Sequence, residues 1–161
     1  MRKIFLATLA VVMLVTATAL AAGWELVYYD NEENQIFFDP DKVTVHSRAG
    51  DNAEFSAPFR MVYSDKGRNN LIKWYRENSI MPRDIENLAY DVATIRFRKN
   101  GDDRYYYIVE RTSYTANGAS LSDMHYVNDN PTWQKIDVGS VVDVEYYNAI
   151  LIVDGKKFDP K

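Results

Sequence analysis

Cysteine is absent from the 161 residues of this sequence. Without a thiol the chain can form no disulfide, offers no thiol nucleophile and has no cysteine to carry a lipid. A chain of this length is long enough to bury a core of its own. We therefore expect a fold held together by its hydrophobic core, and a protein that is not a lipoprotein.

Motifs of enzymes and metal sites are also missing. The sequence contains no Gly-rich phosphate loop, no G-x-S-x-G elbow and no H-E-x-x-H pair. Its two histidines, His46 and His125, are far apart in the chain, which is little provision for a transition-metal site. The acidic loops lack the alternating oxygen ligands of a calcium loop. We expect a non-enzymatic protein with no cofactor and no metal.

The sequence has few long apolar runs: it contains one, from Ile4 to Val15. It follows Arg2 and Lys3 and leads to small residues ending in Ala19-Leu20-Ala21, the pattern of a secretory signal peptide with an A-x-A cleavage site. The run is too short to be a permanent membrane span. The sequence therefore predicts a cleaved signal peptide at 1–21, a single domain at 22–161, no integral membrane segment in the mature chain, and a location in the periplasm, on the cell surface or in the medium.

Basic residues are fewer than acidic ones, 19 against 23. Removal of the signal peptide takes away Arg2 and Lys3, which leaves 17 basic residues and a net charge of −6. Nucleic-acid-binding domains favour a basic surface. The charge balance therefore argues against a nucleic-acid partner.

The mature chain is rich in tyrosine, phenylalanine, valine and isoleucine, and turn residues divide it into strand-like segments. Four segments come first: Trp24–Tyr29, Gln35–Phe38, Lys42–His46 and Ala53–Tyr63, the last interrupted or bulged at Pro58. Asn-Gly pairs at 100–101 and 117–118 predict tight hairpin turns. They join a meander of strands over residues 87–99, 104–115 and 119–127, and a short edge strand follows around residues 133–136.

Two segments change to a helical period. Leu71, Trp74 and Tyr75 fall at i, i+3 and i+4 and predict an amphipathic helix from Ser64 to Asn78. Near the C-terminus, Ser140 followed by an acid three residues later predicts a capped helix that ends near Gly155. The β-branched residues of this last segment leave a strand as the alternative. The expected fold class is α+β, with one helix after the fourth strand and a C-terminal helix packed on the sheet.

The hairpin at Asn117-Gly118 also suggests a side-chain pair. A two-residue turn there places Glu110 opposite His125 on neighbouring strands. A carboxylate beside an imidazole can act as an acid–base pair. The simpler interpretation is a cross-strand ion pair, and we favour it because no nucleophile or third convergent group is identifiable.

Arginine and tyrosine alternate along the central hairpin. Because side chains on a strand point to alternate faces, one face carries Ala93, Ile95 and Phe97 as core. The opposite face becomes a candidate macromolecule-binding face, since arginine and tyrosine are favoured at recognition surfaces. Its residues are Arg96, Arg98, Tyr105, Tyr107, Arg111 and Tyr126. The alternative is that a helix or strand covers this face and turns the tyrosines into core.

A series of aromatic and turn positions runs through most of the mature chain: Trp24-Glu-Leu-Val, Ile36-Phe-Phe-Asp39, Leu88-Ala-Tyr90, Arg104-Tyr105-Tyr106, Gly118 with Leu121, Trp133-Gln-Lys-Ile136, Gly139-Ser140 and Tyr147-Asn148. This order resembles the surface-adhesin E family of bacterial exported proteins. The resemblance implies an antiparallel sheet of about six strands with a helix near the C-terminus. It also implies a non-enzymatic protein, able to dimerise, whose relatives bind host extracellular-matrix and serum proteins. Family members can carry a lipid-anchoring cysteine and a disulfide, and this chain has neither.

The leading hypothesis is an exported module that binds a host or envelope macromolecule, with a protein as the expected partner and a homodimer left open. The first alternative is a periplasmic envelope protein that binds a small ligand in a protected cavity or assists assembly. An enzyme using Glu110 with His125 is the third class, and a structural spacer in a larger assembly is the fourth.

Overall fold

The computed structural model describes residues 23–158, so the predicted signal peptide lies outside the described residues. Residues 23–158 form one antiparallel sheet and two α-helices. The strands are β1 Glu25–Tyr29, β2 Gln35–Phe38, β3 Thr44–Ala49, β4 Asn52–Val62, β5 Leu88–Asn100, β6 Asp103–Thr115, β7 Ser120–Val127 and β8 Gln134–Lys135. The helices are α1 Asp65–Glu77 and α2 Val141–Val153. The expected α+β class, with one helix after the fourth strand and one at the C-terminus, is confirmed.

Six strands lie side by side across the sheet, in the order β1-β2-β4-β5-β6-β7. The other two share an edge with a neighbour: β3 pairs with β4 beside β2, and β8 pairs with β6 beside β7. The described residues therefore hold eight strands where about six were expected. The two additional strands are β3 and β8. Because they pair beside β2 and β7, the sheet is still six strands wide.

The core lies between α2 and one face of the sheet, which we call the inner face. Its centre is aromatic: Phe38 and Phe59 stack with ring centroids 5.2 Å apart, and Phe55 lies 5.9 Å from Tyr146 of α2. Helix α2 begins as the sequence predicts, because the Ser140 hydroxyl accepts a hydrogen bond from the Asp143 amide at 3.2 Å. The large buried aromatic area explains how a domain of this size is stable without disulfides.

Helix α1 also begins at the predicted cap, where the Ser64 hydroxyl accepts a hydrogen bond from the Gly67 amide at 2.9 Å. It lies at one end of the sheet, beside the turn between β1 and β2. Gly67 is its one buried residue, and Lys66 donates to the Asn31 carbonyl of that turn at 2.9 Å. Helix α1 therefore leaves the middle of the sheet uncovered.

A bulge in β6 controls which side chains share a face. Between β5 and β6, Thr94 pairs with Glu110 but Ile95 pairs with Ile108, so Val109 is an extra residue. A second irregularity separates the β6–β7 pairs Thr112–His125 and Tyr114–Ser120, and its extra residues lie in β7. The bulge at Val109 shifts the register, so alternation along β6 cannot be counted through it.

The second hairpin turn is one residue longer than predicted. The hairpin closes where the Thr115 amide donates a hydrogen bond to the Ala119 carbonyl at 2.9 Å, which leaves three residues in the loop. Gly118 takes a φ of +86° there, a conformation that glycine adopts readily. The predicted pairing of Glu110 with His125 is wrong, because the longer loop and the irregularity beside it shift the register of β6 against β7.

Candidate macromolecule-binding face

The face of the sheet turned away from α2 carries a band of arginine and aromatic side chains. We call it the open face and define it by Glu54, Arg60, Tyr90, Arg96, Arg98, Tyr105, Tyr107, Glu110, Tyr114 and Trp133. Among the described residues no helix packs across the middle of this face. Its central side chains are half-buried by one another, so they stand in fixed positions while still reaching solvent.

Four of the six residues predicted for the binding face are brought together. Arg96 pairs with Tyr107 and Arg98 pairs with Tyr105 across β5 and β6. Directly paired residues point to the same side of a sheet. The turn at residues 101–102 keeps this parity, because Asn100 pairs with Asp103 and leaves an even loop of two residues.

The other two predicted residues, Arg111 and Tyr126, do not belong to the open face. Arg111 pairs with Ala93, a residue of the inner face, and Tyr126 pairs with Arg111. The cause is the extra residue Val109, which turns everything beyond it in β6 to the opposite side. The predicted site is corrected accordingly.

A single carboxylate holds the two central arginines. Glu54, on β4, accepts from Arg96 Nε at 2.8 Å and from Arg98 Nη2 at 3.1 Å. Burial alone would raise the pKa of Glu54, but the hydrogen bonds and charges of the two arginines outweigh it and hold the pKa below its ordinary value. Glu54 is therefore ionised at neutral pH and fixes both guanidinium groups.

Trp133 completes this end of the open face. The Arg98 guanidinium carbon lies 4.0 Å from the centre of the Trp133 ring, a cation–π contact. Tyr107 meets the same ring edge to face, with centroids 4.7 Å apart. The sequence-based set missed Trp133 because it lies outside the central hairpin. The predicted edge strand at residues 133–136 was the signal that could have found it, since β8 pairs with β6 at Tyr105.

A second stack occupies the other end of the open face. Arg60 lies with its guanidinium carbon 3.9 Å from the Tyr90 ring centre, and Tyr90 stacks on Tyr114 at 5.0 Å with an interplanar angle of 14°. Tyr90 and Tyr114 lie on the two strands of the central hairpin, but only the bulge at Val109 brings Tyr114 to the open face. Arg60 joins them from β4 through the pairing of β4 with β5. The sequence-based set missed the stack because neither the bulge nor this pairing could be predicted.

The suggested acid–base pair is absent from the sheet. Glu110 pairs with Val127 and accepts a hydrogen bond from the Thr94 hydroxyl at 3.2 Å. His125 pairs with Thr112 instead, and its Nδ1 lies 2.8 Å from the threonine hydroxyl. The two residues on which the enzyme hypothesis rested therefore have separate partners.

Over residues 23–158, no cluster of three or more histidine, aspartate or glutamate side chains has the arrangement to hold a metal ion. In the same range neither helix is long and apolar enough to cross a membrane. Comparison with protein-family models, curated proteins and solved structures finds no match to this chain. The resemblance to the surface-adhesin E family stays a prediction.

Proposed function

We propose that this protein is an exported, non-enzymatic module that binds an extracellular protein through its open face. The observation that carries the proposal is the arrangement of Arg96 and Arg98, both held by Glu54 and flanked by tyrosine and tryptophan. Arginine, tyrosine and tryptophan contribute most of the energy at protein interfaces when they sit in a fixed cluster. Because the side chains are already ordered, binding loses less conformational entropy.

The charge of the face suggests the chemistry of its partner. The open face carries three arginines against Glu54 and Glu110, whereas the whole chain has a net charge of −4. A partner that presents carboxylates beside apolar side chains would meet both the guanidinium groups and the aromatic rings. We therefore expect an acidic segment of the partner protein to dock along the band.

The resemblance to the surface-adhesin E family supports the concrete version of this proposal, in which the partner is a host extracellular-matrix or serum protein. The predicted signal peptide supports export. Because the chain has no cysteine to carry a lipid, retention at the cell surface would require a partner that holds the protein there.

The test is binding of the mature chain to a panel of immobilised extracellular-matrix and serum proteins, measured by surface plasmon resonance. The double variant Arg96→Ala with Tyr105→Ala removes one arginine and one tyrosine of the open face. We expect its affinity to fall by at least about tenfold, or ~1.4 kcal/mol, for any protein that the wild type binds. The matched control, Arg76→Ala with Tyr147→Ala, changes the same residue types at exposed positions on the two helices, outside the open face, and should bind as the wild type does.

Circular dichroism of each variant checks that the fold survives. Unchanged affinity of the open-face variant would overturn the site, and no binding across the panel would overturn the partner class. Sedimentation of the free protein tests whether a second copy occupies the face: a dimer that the open-face variant dissociates would replace the extracellular partner.

A further inference from the structure

A cavity of about 190 Å³ lies between α2 and the inner face of the sheet. Most of its wall is apolar and comes from β4, β5, β6 and α2, through Phe59, Met61, Ala93, Ile95, Ile108 and Val142. A dry cavity of ~150 Å³ in a protein core is large enough for benzene. The space therefore fits one small aryl ring or a short alkyl chain.

Glu145 of α2 contributes a carboxyl group to this apolar wall. The residue is only 6% exposed, and no hydrogen bond from residues 23–158 compensates its charge. Burial is the one cause that raises its pKa, to about 8. An apolar side chain at this position would avoid the cost of burying an unpaired carboxylate.

Asp91 of β5 brings a second carboxyl group to the cavity and is also 6% exposed. Its Oδ2 accepts from the Tyr63 hydroxyl at 2.8 Å and lies 3.9 Å from Arg111 Nε. Its Oδ1 is buried and has no hydrogen-bond partner among the described residues. Burial and the neighbouring Asp91 charge both raise the pKa of Tyr63, so this hydroxyl stays a neutral donor.

The groups that face Glu145 leave it short of positive charge. Arg111, the single cation in the cavity lining, is 45% exposed at the side chain and lies beside Asp91. The Tyr28 hydroxyl of β1 is buried without a partner among residues 23–158, and the Glu145 charge helps to raise its pKa. Two carboxyl groups with one shared arginine favour a ligand that brings a positive charge and hydrogen-bond donors.

We propose that the cavity binds a small primary amine that carries one aryl or alkyl group. The ammonium group donates to Glu145, with Asp91 as the second carboxyl group of the lining, and the apolar group fills the space beside Ala93 and Val142. This site lies on the opposite side of the sheet from the open face, so it is independent of the proposed function. Such a site would account for the small-ligand binding that the sequence analysis gave as its first alternative.

Binding of an amine by this site is coupled to a proton. With its pKa at about 8, the empty Glu145 is protonated in about nine of ten molecules at pH 7. A bound ammonium group stabilises the carboxylate, so Glu145 releases its proton when the ligand enters. The other titratable or charged groups around the cavity are Asp91, Arg111, Tyr28, Tyr63 and Tyr106. Burial raises the pKa of Tyr28 and of Tyr63 far above neutral pH. The released proton therefore comes from Glu145.

Isothermal titration calorimetry of the mature chain with phenethylamine tests the proposal, with phenethyl alcohol as the neutral probe of the same shape. At pH 7 we expect saturable binding of the amine, at least about tenfold tighter than the alcohol. Titrations in phosphate and in MOPS, which differ in ionisation enthalpy and contain no primary amine, should report the release of nearly one proton per amine. At pH 9 the release should largely disappear, because Glu145 is then already ionised.

Three variants define the site. Glu145→Gln should lose most of the preference for the amine and release no proton, whereas Ala93→Leu should weaken both probes by filling the cavity. The control Glu86→Gln, at an exposed position before β5, should behave as the wild type. No saturable binding of the amine, equal affinity of the wild type for both probes, or an undiminished amine preference in Glu145→Gln would each overturn the proposal. If Glu145→Gln fails to fold, the wild-type comparison of the two probes together with Ala93→Leu decides the question.

Discussion

Replacing Glu145 by glutamine should change how the stability of the free protein depends on pH. The pKa of Glu145 rises from its ordinary value of 4.5 to about 8 on folding, because the carboxyl group is buried without a partner. The folded chain thus holds this proton more tightly than the unfolded chain. Its contribution to stability is fully present below pH 4.5 and is lost as the pH rises through about 8.

The magnitude follows from the two pKa values. Each pH unit between them costs the folded state ~1.4 kcal/mol. Over the whole interval the wild type should lose on the order of 4 kcal/mol from this one group. Glutamine has nearly the same shape and no charge, so the variant should not show this loss.

Urea unfolding of both proteins, followed by tryptophan fluorescence at pH 4.5, 6, 7 and 8.5 with no amine present, measures the difference. The free energies of unfolding should differ little at pH 4.5, and Glu145→Gln should become the more stable protein as the pH rises. Glu86→Gln should follow the wild type at every pH. A difference between Glu145→Gln and the wild type that stays constant with pH would refute the reasoning, because Glu145 would then not be a neutral buried acid.

Three other changes test the fold and the open face. Gly67→Ala improves helix propensity but places a Cβ 2.0 Å from Asn34 Oδ1; we expect the melting temperature to fall, and an increase would contradict the packing of α1 on the β1–β2 turn. Phe97→Ala removes a fully buried ring and should lower the free energy of unfolding by ~3–5 kcal/mol in urea titrations; a loss below ~1 kcal/mol would mean that the ring is not in the core. Glu54→Ala frees Arg96 and Arg98 and should weaken binding to the extracellular protein, measured by surface plasmon resonance. Equal affinity of the variant and the wild type would show that binding does not depend on the fixed position of the two arginines.

Local signals predicted most of the fold. Helix α2 is rich in β-branched residues, yet the cap at Ser140 and Asp143 identified it as a helix. The even hairpin loop around Asn100-Gly101 placed Arg96 and Tyr107 on one face, because a loop of two or four residues keeps the alternation of both strands. Such signals succeed because caps and turns depend on a few residues that are adjacent in sequence.

Signals that depend on distant parts of the chain failed. The bulge at Val109 leaves no mark in the sequence, and it moved Arg111 and Tyr126 to the inner face. Pro58 was expected to interrupt β4, but β4 pairs with β5 without a register shift there. Pro58 falls where neither β2 nor β3 pairs with β4, so its missing N–H faces a gap between two strands.

The burial of Glu145, which makes it a candidate ligand-binding residue, could not be predicted from the sequence. A glutamate in a helix is usually exposed to water. Only the packing of α2 against β4, β5 and β6 shows that this carboxyl group faces an apolar cavity. Trp133 is a similar case, since its role on the open face depends on the pairing of β8 with β6.

The proposed function requires that this protein is exported and meets a protein partner outside the cell. Protease shaving of intact producing cells, with immunodetection of this protein and of a periplasmic control, tests this requirement. We predict that the protease removes the protein, or that the protein is found in the medium, while the periplasmic control stays intact. Full protection inside the cell envelope would contradict the claim and leave the amine-binding cavity as the better guide to function.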